Sequence, residues 1–127
     1  MFADPFIHHA VRSWLDPTPD PYATQVCPAV DDPESASRLV EATVVSHMAR
    51  RYPTCYIKAE GEVDVAIVDG GCFRAIEVKW RGQVRSKDLK QLRKYAGATL
   101  LAPVRAPHDL DGVRVEPLVL ALLGIEE

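Results

Sequence analysis

The sequence predicts an α/β core in the order helix, three strands, helix, strand, preceded by a short helix and a connector. Three observations predict it. Residues 34 to 51 run without Gly or Pro between Asp32-Pro33 and Pro53, which is the punctuation of a helix. Cys55 to Glu60, Glu62 to Asp69 and Cys72 to Trp80 are extended runs, the last two separated by Gly70-Gly71 in the manner of a tight hairpin. Ser86, a suitable cap, then opens a second helix through about Ala96 that Gly97 ends. With 127 residues, 47% hydrophobic and 26% charged, the chain is large enough to bury a core without disulfides or a structural metal.

The remaining elements follow in order. Asp4 is placed to cap a helix with Pro5 at its first position and apolar residues at helical spacing as far as Leu15. Five of the ten prolines, Pro17, Pro19, Pro21, Pro28 and Pro33, then fall in a stretch with almost no periodicity, the composition of a connector. Residues 1–33 are therefore read as an N-terminal helix and Pro-rich connector, and residues 34–127 as the main domain. Ala98 to Ala102 suits a buried strand, and Val113 to Leu123 a closing strand or helix. Three cysteines without C-x-x-C spacing indicate neither a disulfide framework nor a zinc site. A reducing cytoplasm is expected, with no membrane partner, since the apolar runs fall well short of the about 20 residues of a membrane span and no secretory signal is visible.

Strand alternation brings acids together. Val63, Val65 and Ile67 alternate with Glu62, Asp64, Ala66 and Val68, while Arg74, Ile76, Val78 and Trp80 alternate with Phe73, Ala75, Glu77 and Lys79. Each strand so has an apolar face and a face bearing acids. With Gly70-Gly71 as a two-residue loop, Asp69 opposes Cys72, Asp64 opposes Glu77 and Glu62 opposes Lys79. Two carboxylates about 5 Å apart repel by roughly 3 kcal/mol at an effective dielectric of about 20. A divalent cation held by oxygen ligands would offset this, and Lys79 adds a positive charge on the same face. A surface hairpin with solvated acids paired to Lys79 is the plainer alternative. Glu41 lies on a helical wheel inside the arc of Val40, Val44, Val45 and Met48, where a lone carboxylate needs a partner. Either it joins Asp64 and Glu77, or it snorkels or pairs with an arginine.

In the second expected helix Leu89, Leu92, Tyr95 and Ala96 share one face, and Lys87, Lys90, Arg93 and Lys94 the other, with Gln91 at the seam. Residues Lys79 to Lys94 carry a local charge of +6, whereas the chain as a whole carries −3. Such a stripe is either a solvated face or compensation for a phosphate backbone approaching acids.

Glu62-Val63-Asp64, a Gly turn and Ile76-Glu77-Val78-Lys79, preceded by Glu41 and followed by Gln91 and Tyr95 at Q-x-x-x-Y spacing, resemble the PD-(D/E)xK nuclease superfamily, most of all its RecB-like branch. Val63 stands where that pattern has Pro. The resemblance covers about residues 34 to 104 and implies a restriction-endonuclease-like core, a mixed central sheet flanked by helices. It implies that Asp64 and Glu77 hold Mg²⁺ or Mn²⁺, with the Val78 carbonyl and Glu41 as further ligands. It also implies that Lys79 orients or activates the attacking water and stabilises charge at phosphorus. Gln91 would position Lys79 or a phosphate, Tyr95 would line the site, and Arg81, Arg85, Lys87, Lys90, Arg93 and Lys94 would meet DNA.

The segment Asp4-Pro5-Phe6-Ile7 to Trp14-Leu15 is similar to the one preceding the C-terminal nuclease-like domain of prokaryotic AAA-type ATPases. No G-x-x-x-x-G-K-[ST] loop occurs, so the chain itself should not hydrolyse ATP. The expected function is metal-dependent hydrolysis of DNA phosphodiester bonds, with an ATPase partner and a homo-oligomer left open. The alternative is a non-catalytic nuclease-fold module that binds nucleic acid or a protein. A small-molecule enzyme has little support, because no H-E-x-x-H and no G-x-S-x-G is present.

Overall fold

The computed structural model describes residues 4–58 and 63–124. The chain packs as two compact units, Met1–Ser46 and His47–Glu127.

The first unit is helical. Helix α1 (Pro5–Leu15) starts as the sequence predicts, with the Asp4 carboxylate accepting the Phe6 N–H at 2.8 Å and Pro5 in the first turn, where its missing N–H leaves nothing unsatisfied. The Pro-rich stretch departs from the expected connector. A π-helical turn (Tyr22–Val26) runs directly into a short helix α2 (Cys27–Asp31). Proline allows this because Pro28 sits in the first turn of α2, and Asp20 caps the preceding turn by accepting the Ala23 N–H at 3.1 Å. Buried Gln25 ties the turn down by donating from Nε2 to the Asp16 carbonyl at 2.6 Å. Helix α3 (Pro33–Ala49) opens where Asp32 accepts the Ser35 N–H at 2.8 Å, and its last turn belongs to the second unit.

Among the described residues the second unit holds a six-stranded mixed sheet of order β1-β2-β3-β4-β6-β5. The strands are β1 (Thr54–Ile57), β2 (Val63–Asp69), β3 (Cys72–Val78), β4 (Thr99–Ala102), β5 (His108–Leu110) and β6 (Val113–Pro117). β3, β4 and β6 run parallel; β1 with β2, β2 with β3 and β5 with β6 run antiparallel. An α/β class with a mixed sheet is thus observed. The expected closing segment is both alternatives in succession, β6 and then helix α4 (Leu118–Gly124). Strand β5 adds to the expected set. It carries one apolar residue, but its two-residue turn at Asp111-Gly112, with φ of 49° and 80°, is the mirror-type hairpin signal that flanking strands of right-handed twist require. No helix among the described residues is long and apolar enough to cross a membrane.

The helix expected over Ser86–Ala96 does not form. Two 3-10 turns, Ser86–Leu89 and Leu92–Lys94, replace it, and Arg85 rather than Ser86 occupies the cap position, its N–H bonded to Asp88 Oδ2 at 2.9 Å. The side-chain period explains the difference. Leu89, Leu92 and Tyr95 recur every three residues, as do Lys87, Lys90 and Arg93, and three residues make one 3-10 turn but fall short of one α turn. Leu89 and Leu92 are buried and Tyr95 half-buried, while Ala96, out of phase, is exposed and so does not join the apolar face expected of it.

These turns cover one sheet face. Leu89 and Leu92 pack in one cluster with Ala75, Leu100, Ala102, Val113 and Val115. The face of β2 and β3 that carries the acids is therefore itself core at its centre: Ala66 and Ala75 are fully buried, as are Val65 and Ile67 on the other face. The expected division into an apolar and an acid-bearing face does not hold at the ends either: Asp69 falls on the Ile67 and Arg74 side, and the irregularity between Val63 and Ala66 turns Val63 into the cluster that contains Ala75.

The hairpin turn supports the whole register. Gly70 and Gly71 both have positive φ, 57° and 79°, and a Cβ at either would meet nothing within 4 Å. Gly71→Ala should therefore lower stability by backbone strain alone, about 1–2 kcal/mol. A fall in the urea midpoint with an unchanged slope is the expected reading.

Candidate active site

The register observed across the hairpin pairs Asp69 with Cys72 and continues through Ala66 with Ala75 to Val65 with Ile76. Among the described residues the pairing runs no further: between Val63 and Ala66 β2 holds one residue more than β1 opposite it, an irregularity that the strict alternation read from the sequence does not contain, and Asp64 stands near enough for its charge to act on Glu77. The Asp64 carboxylate is held there, its Oδ2 accepting the Val78 N–H at 2.8 Å, so that Val78 contributes through its backbone while its side chain is buried. Glu62, the acid expected opposite Lys79, lies outside the described residues.

Glu77 is the chemically unusual group. In parallel register it stands next to Leu100, which stands next to Val115, so a carboxylate occupies the end of an apolar row. Only 9% of the residue is exposed. Burial, reinforced by the Asp64 charge, pushes its pKa up from the ordinary value of 4.5, against the opposing pull of Lys79. Lys79, the residue just past the end of β3, donates its N–H to the Leu101 carbonyl at 2.9 Å and its ammonium to Glu77 Oε1 at 2.5 Å. Burial would lower the Lys79 pKa. The bond to Glu77 and the charges of Glu77, Asp64 and Asp88 outweigh it and hold the ammonium above its ordinary 10.5.

Two carboxylates and an ammonium thus share the end of the hairpin, and a buried acid whose ionisation is opposed by burial and a neighbouring acid is a candidate functional group. Asp88 joins this charge set without being marked by the sequence except as the single acid within the basic stretch, and that isolation is the available signal.

The other expected site residues divide between the units. Glu41 is half-buried on α3 in the first unit, whereas Asp64, Glu77, Lys79 and Gln91 belong to the second. Gln91 lies between the two 3-10 turns, and its Oε1 is buried without a hydrogen-bond partner among the described residues, an arrangement that costs about 1–3 kcal/mol. Arg81, Arg85, Lys87, Lys90, Arg93 and Lys94 are all exposed, and Arg93 donates to Asp111 at 2.5 Å. Tyr95 packs against Phe73, with ring centroids 5.9 Å apart. Phe73 is not among the expected site residues, although its place in the alternation with Ala75 and Glu77 is plain.

Among the described residues no group of three or more His, Cys, Asp or Glu side chains is placed to hold a metal ion. Two carboxylate donors nonetheless suit Mg²⁺, which keeps several waters and completes its shell with substrate phosphate. A cleft of about 470 Å³ lies on the opposite sheet face, lined by Ile67, Ile76, Leu101, Thr99, Arg74 and Arg114 among others. It contains none of the expected site residues. Its arginines are already paired, Arg74 with Asp69 at 2.9 Å and Arg114 with Asp109 and Glu116 at 3.7 Å, so the unusual ionisation at Glu77 marks the site better than concavity does.

In protein stripped of divalent cations, a carbon-detected NMR titration should find the Glu77 carboxyl titrating above 4.5. Asp64→Asn should bring that midpoint down and Lys79→Met should push it up, because the first removes a like charge and the second an opposite one. Between 4.5 and its own midpoint the native Glu77 binds more proton than the unfolded one, so this group makes stability fall as pH rises through that window.

Comparison of the chain with family models, curated proteins and solved structures returned no match.

Proposed function

We propose that this chain is a metal-dependent nuclease-type domain that hydrolyses DNA phosphodiester bonds. The observation that carries the reading is the convergence of Asp64, Glu77 and Lys79 at the end of one hairpin, two acids whose charges act on each other and one ammonium bonded to Glu77. The likeness of these residues to the PD-(D/E)xK pattern supports it, and so do the exposed bases on the 3-10 turns.

Asp64 and Glu77 would hold Mg²⁺ or Mn²⁺, with the Val78 carbonyl as a further donor, and the bound cation would supply Lewis acidity toward the phosphoryl oxygens. The protein's own groups divide the remaining tasks. The Val78 N–H fixes the Asp64 carboxylate, so its donor direction is set before any ligand arrives. Lys79, whose pKa is raised, keeps its proton at neutral pH. It therefore acts as a hydrogen-bond donor and a positive charge near the developing phosphorane, and is unsuited to taking a proton from water. Lys87, Lys90 and Lys94 are exposed and would meet a phosphate backbone, and the buried, unmatched Gln91 Oε1 would serve as an acceptor for an ammonium such as that of Lys79.

Calorimetric titration of Mg²⁺ and Mn²⁺ should show binding to the wild type that is weakened in Asp64→Asn and in Glu77→Gln; equal binding by all three proteins would remove the shared site. In a cleavage assay Lys79→Ala should lower the rate by ~100-fold or more while leaving DNA affinity largely intact. Reversing Lys87, Lys90 and Lys94 to Glu should weaken DNA binding and flatten its salt dependence, by about 0.9 in log–log slope for each phosphate that is no longer neutralised. DNA binding without cleavage in either Mg²⁺ or Mn²⁺, left unchanged by Asp64→Asn, would identify a non-catalytic module instead.

A further inference from the structure

We propose that Phe73, backed by Tyr95, is a stacking platform for an unpaired DNA base, which makes single-stranded DNA the substrate of the site. The inference rests on the nuclease reading and narrows its substrate. Phe73 points to the same side of β3 as Ala75 and Glu77, on one continuous strand, yet 43% of it is exposed. Val68, its partner across the hairpin, is 41% exposed and widens the same apolar surface.

The Phe73 ring is not a loose surface side chain. Tyr95 supports it from one side at a 45° tilt, and Tyr95 is itself fixed by its N–H bond to the Leu92 carbonyl at 3.0 Å. The 3-10 turn that ends just before Tyr95 packs against β3 and rests on buried Leu92. A half-exposed aromatic held this way presents a flat surface without having to be ordered on binding.

Charge complementarity selects the occupant. The segment that delivers Tyr95 also carries exposed Lys87, Lys90 and Lys94, and a polyanion with flat apolar groups at regular intervals suits a segment that supplies both a ring and ammonium groups. A base within a duplex is stacked on both faces and shows only its edges, so a protein ring meets a base face only where the strand is unpaired. Along β3 the Cα atoms of Phe73 and Glu77 are separated by about 13 Å, four residues at about 3.3 Å each, so the stacked base and the acid pair lie within a few nucleotides of one strand.

The test uses the full chain in EDTA, where no metal-dependent cleavage occurs. Fluorescence anisotropy compares a short fluorescein-labelled strand of mixed sequence, alone and annealed to its complement, against wild type, Phe73→Leu and Phe73→Trp. The expected result is tighter binding of the single strand, a loss of roughly ten-fold in that affinity for Phe73→Leu, and retention by Phe73→Trp. Duplex binding and the salt slope should be unchanged in Phe73→Leu, since no positive charge is removed. Leucine keeps the position apolar without the π-face, so the comparison does not depend on a variant that fails to fold. Single-strand affinity that Phe73→Leu leaves intact overturns the stacking platform while DNA binding itself survives. Failure of the wild type to bind either DNA at low salt, in EDTA and again with Ca²⁺ in its place, overturns the platform together with the nuclease reading.

Discussion

A slip of β2 against β3 by one residue would put Asp64 and Glu77 on opposite faces of the sheet, and the acid pair would cease to exist. The turn at Gly70-Gly71 prevents this. Its two positive φ angles close a two-residue loop, the loop pairs Asp69 with Cys72, and the pairs follow in step as far as Val65 with Ile76. Beyond that ladder the Asp64 side chain takes over the connection by accepting the Val78 N–H. The site is therefore positioned by the backbone turn at one end of the hairpin and by the Asp64 side chain at the other, and β3 carries that geometry into the parallel half of the sheet through its pairing with β4.

Glu77 shows what this placement does to stability. It lies in line with Leu100 and Val115, where an apolar residue would extend the core. A largely buried ion pair such as half-buried Lys79 with buried Glu77 commonly contributes less to stability than well-packed hydrophobic residues of similar volume. The fold keeps an acid whose ionisation burial and Asp64 both oppose, and balances it with one ammonium whose pKa the same acids raise. Such an arrangement is understandable if the pair has a charged ligand to meet, and it accounts for nothing in the packing of the sheet.

How much of this is legible in the sequence follows from the range over which each signal acts. The hairpin and its register from Asp69–Cys72 to Val65–Ile76 are readable because alternation and a Gly-Gly turn are local, whereas the irregularity between Val63 and Ala66 depends on the pairing with β1 and is not. Helix α1 and helix α3 are readable from their Asp caps. The Pro-rich stretch misleads because proline density argues against helix, whereas Pro28 occupies the one turn where proline is tolerated. Strand β5 escapes a reading that weighs hydrophobicity above the Asp111-Gly112 turn. The shielding of the acid-bearing face cannot be read from β2 and β3 alone, since Leu89 and Leu92 supply it from outside the strands.

The segment between β3 and β4 carries a local signal that is easily fitted to the wrong period. At 100° per residue, positions 89, 92 and 95 drift around an α-helix by 60° each time, and still fall within one broad face. At 120° per residue they eclipse, and so do Lys87, Lys90 and Arg93. The tighter helix rises about 2.0 Å per residue instead of about 1.5 Å, so it spans the crossover with fewer turns and spreads the bases over a longer line. The same period that seats Leu89 and Leu92 on the sheet carries Tyr95 on to Phe73 and keeps the lysines turned outward. Packing of the core and presentation of the basic edge are in this way one geometric consequence of a three-residue repeat.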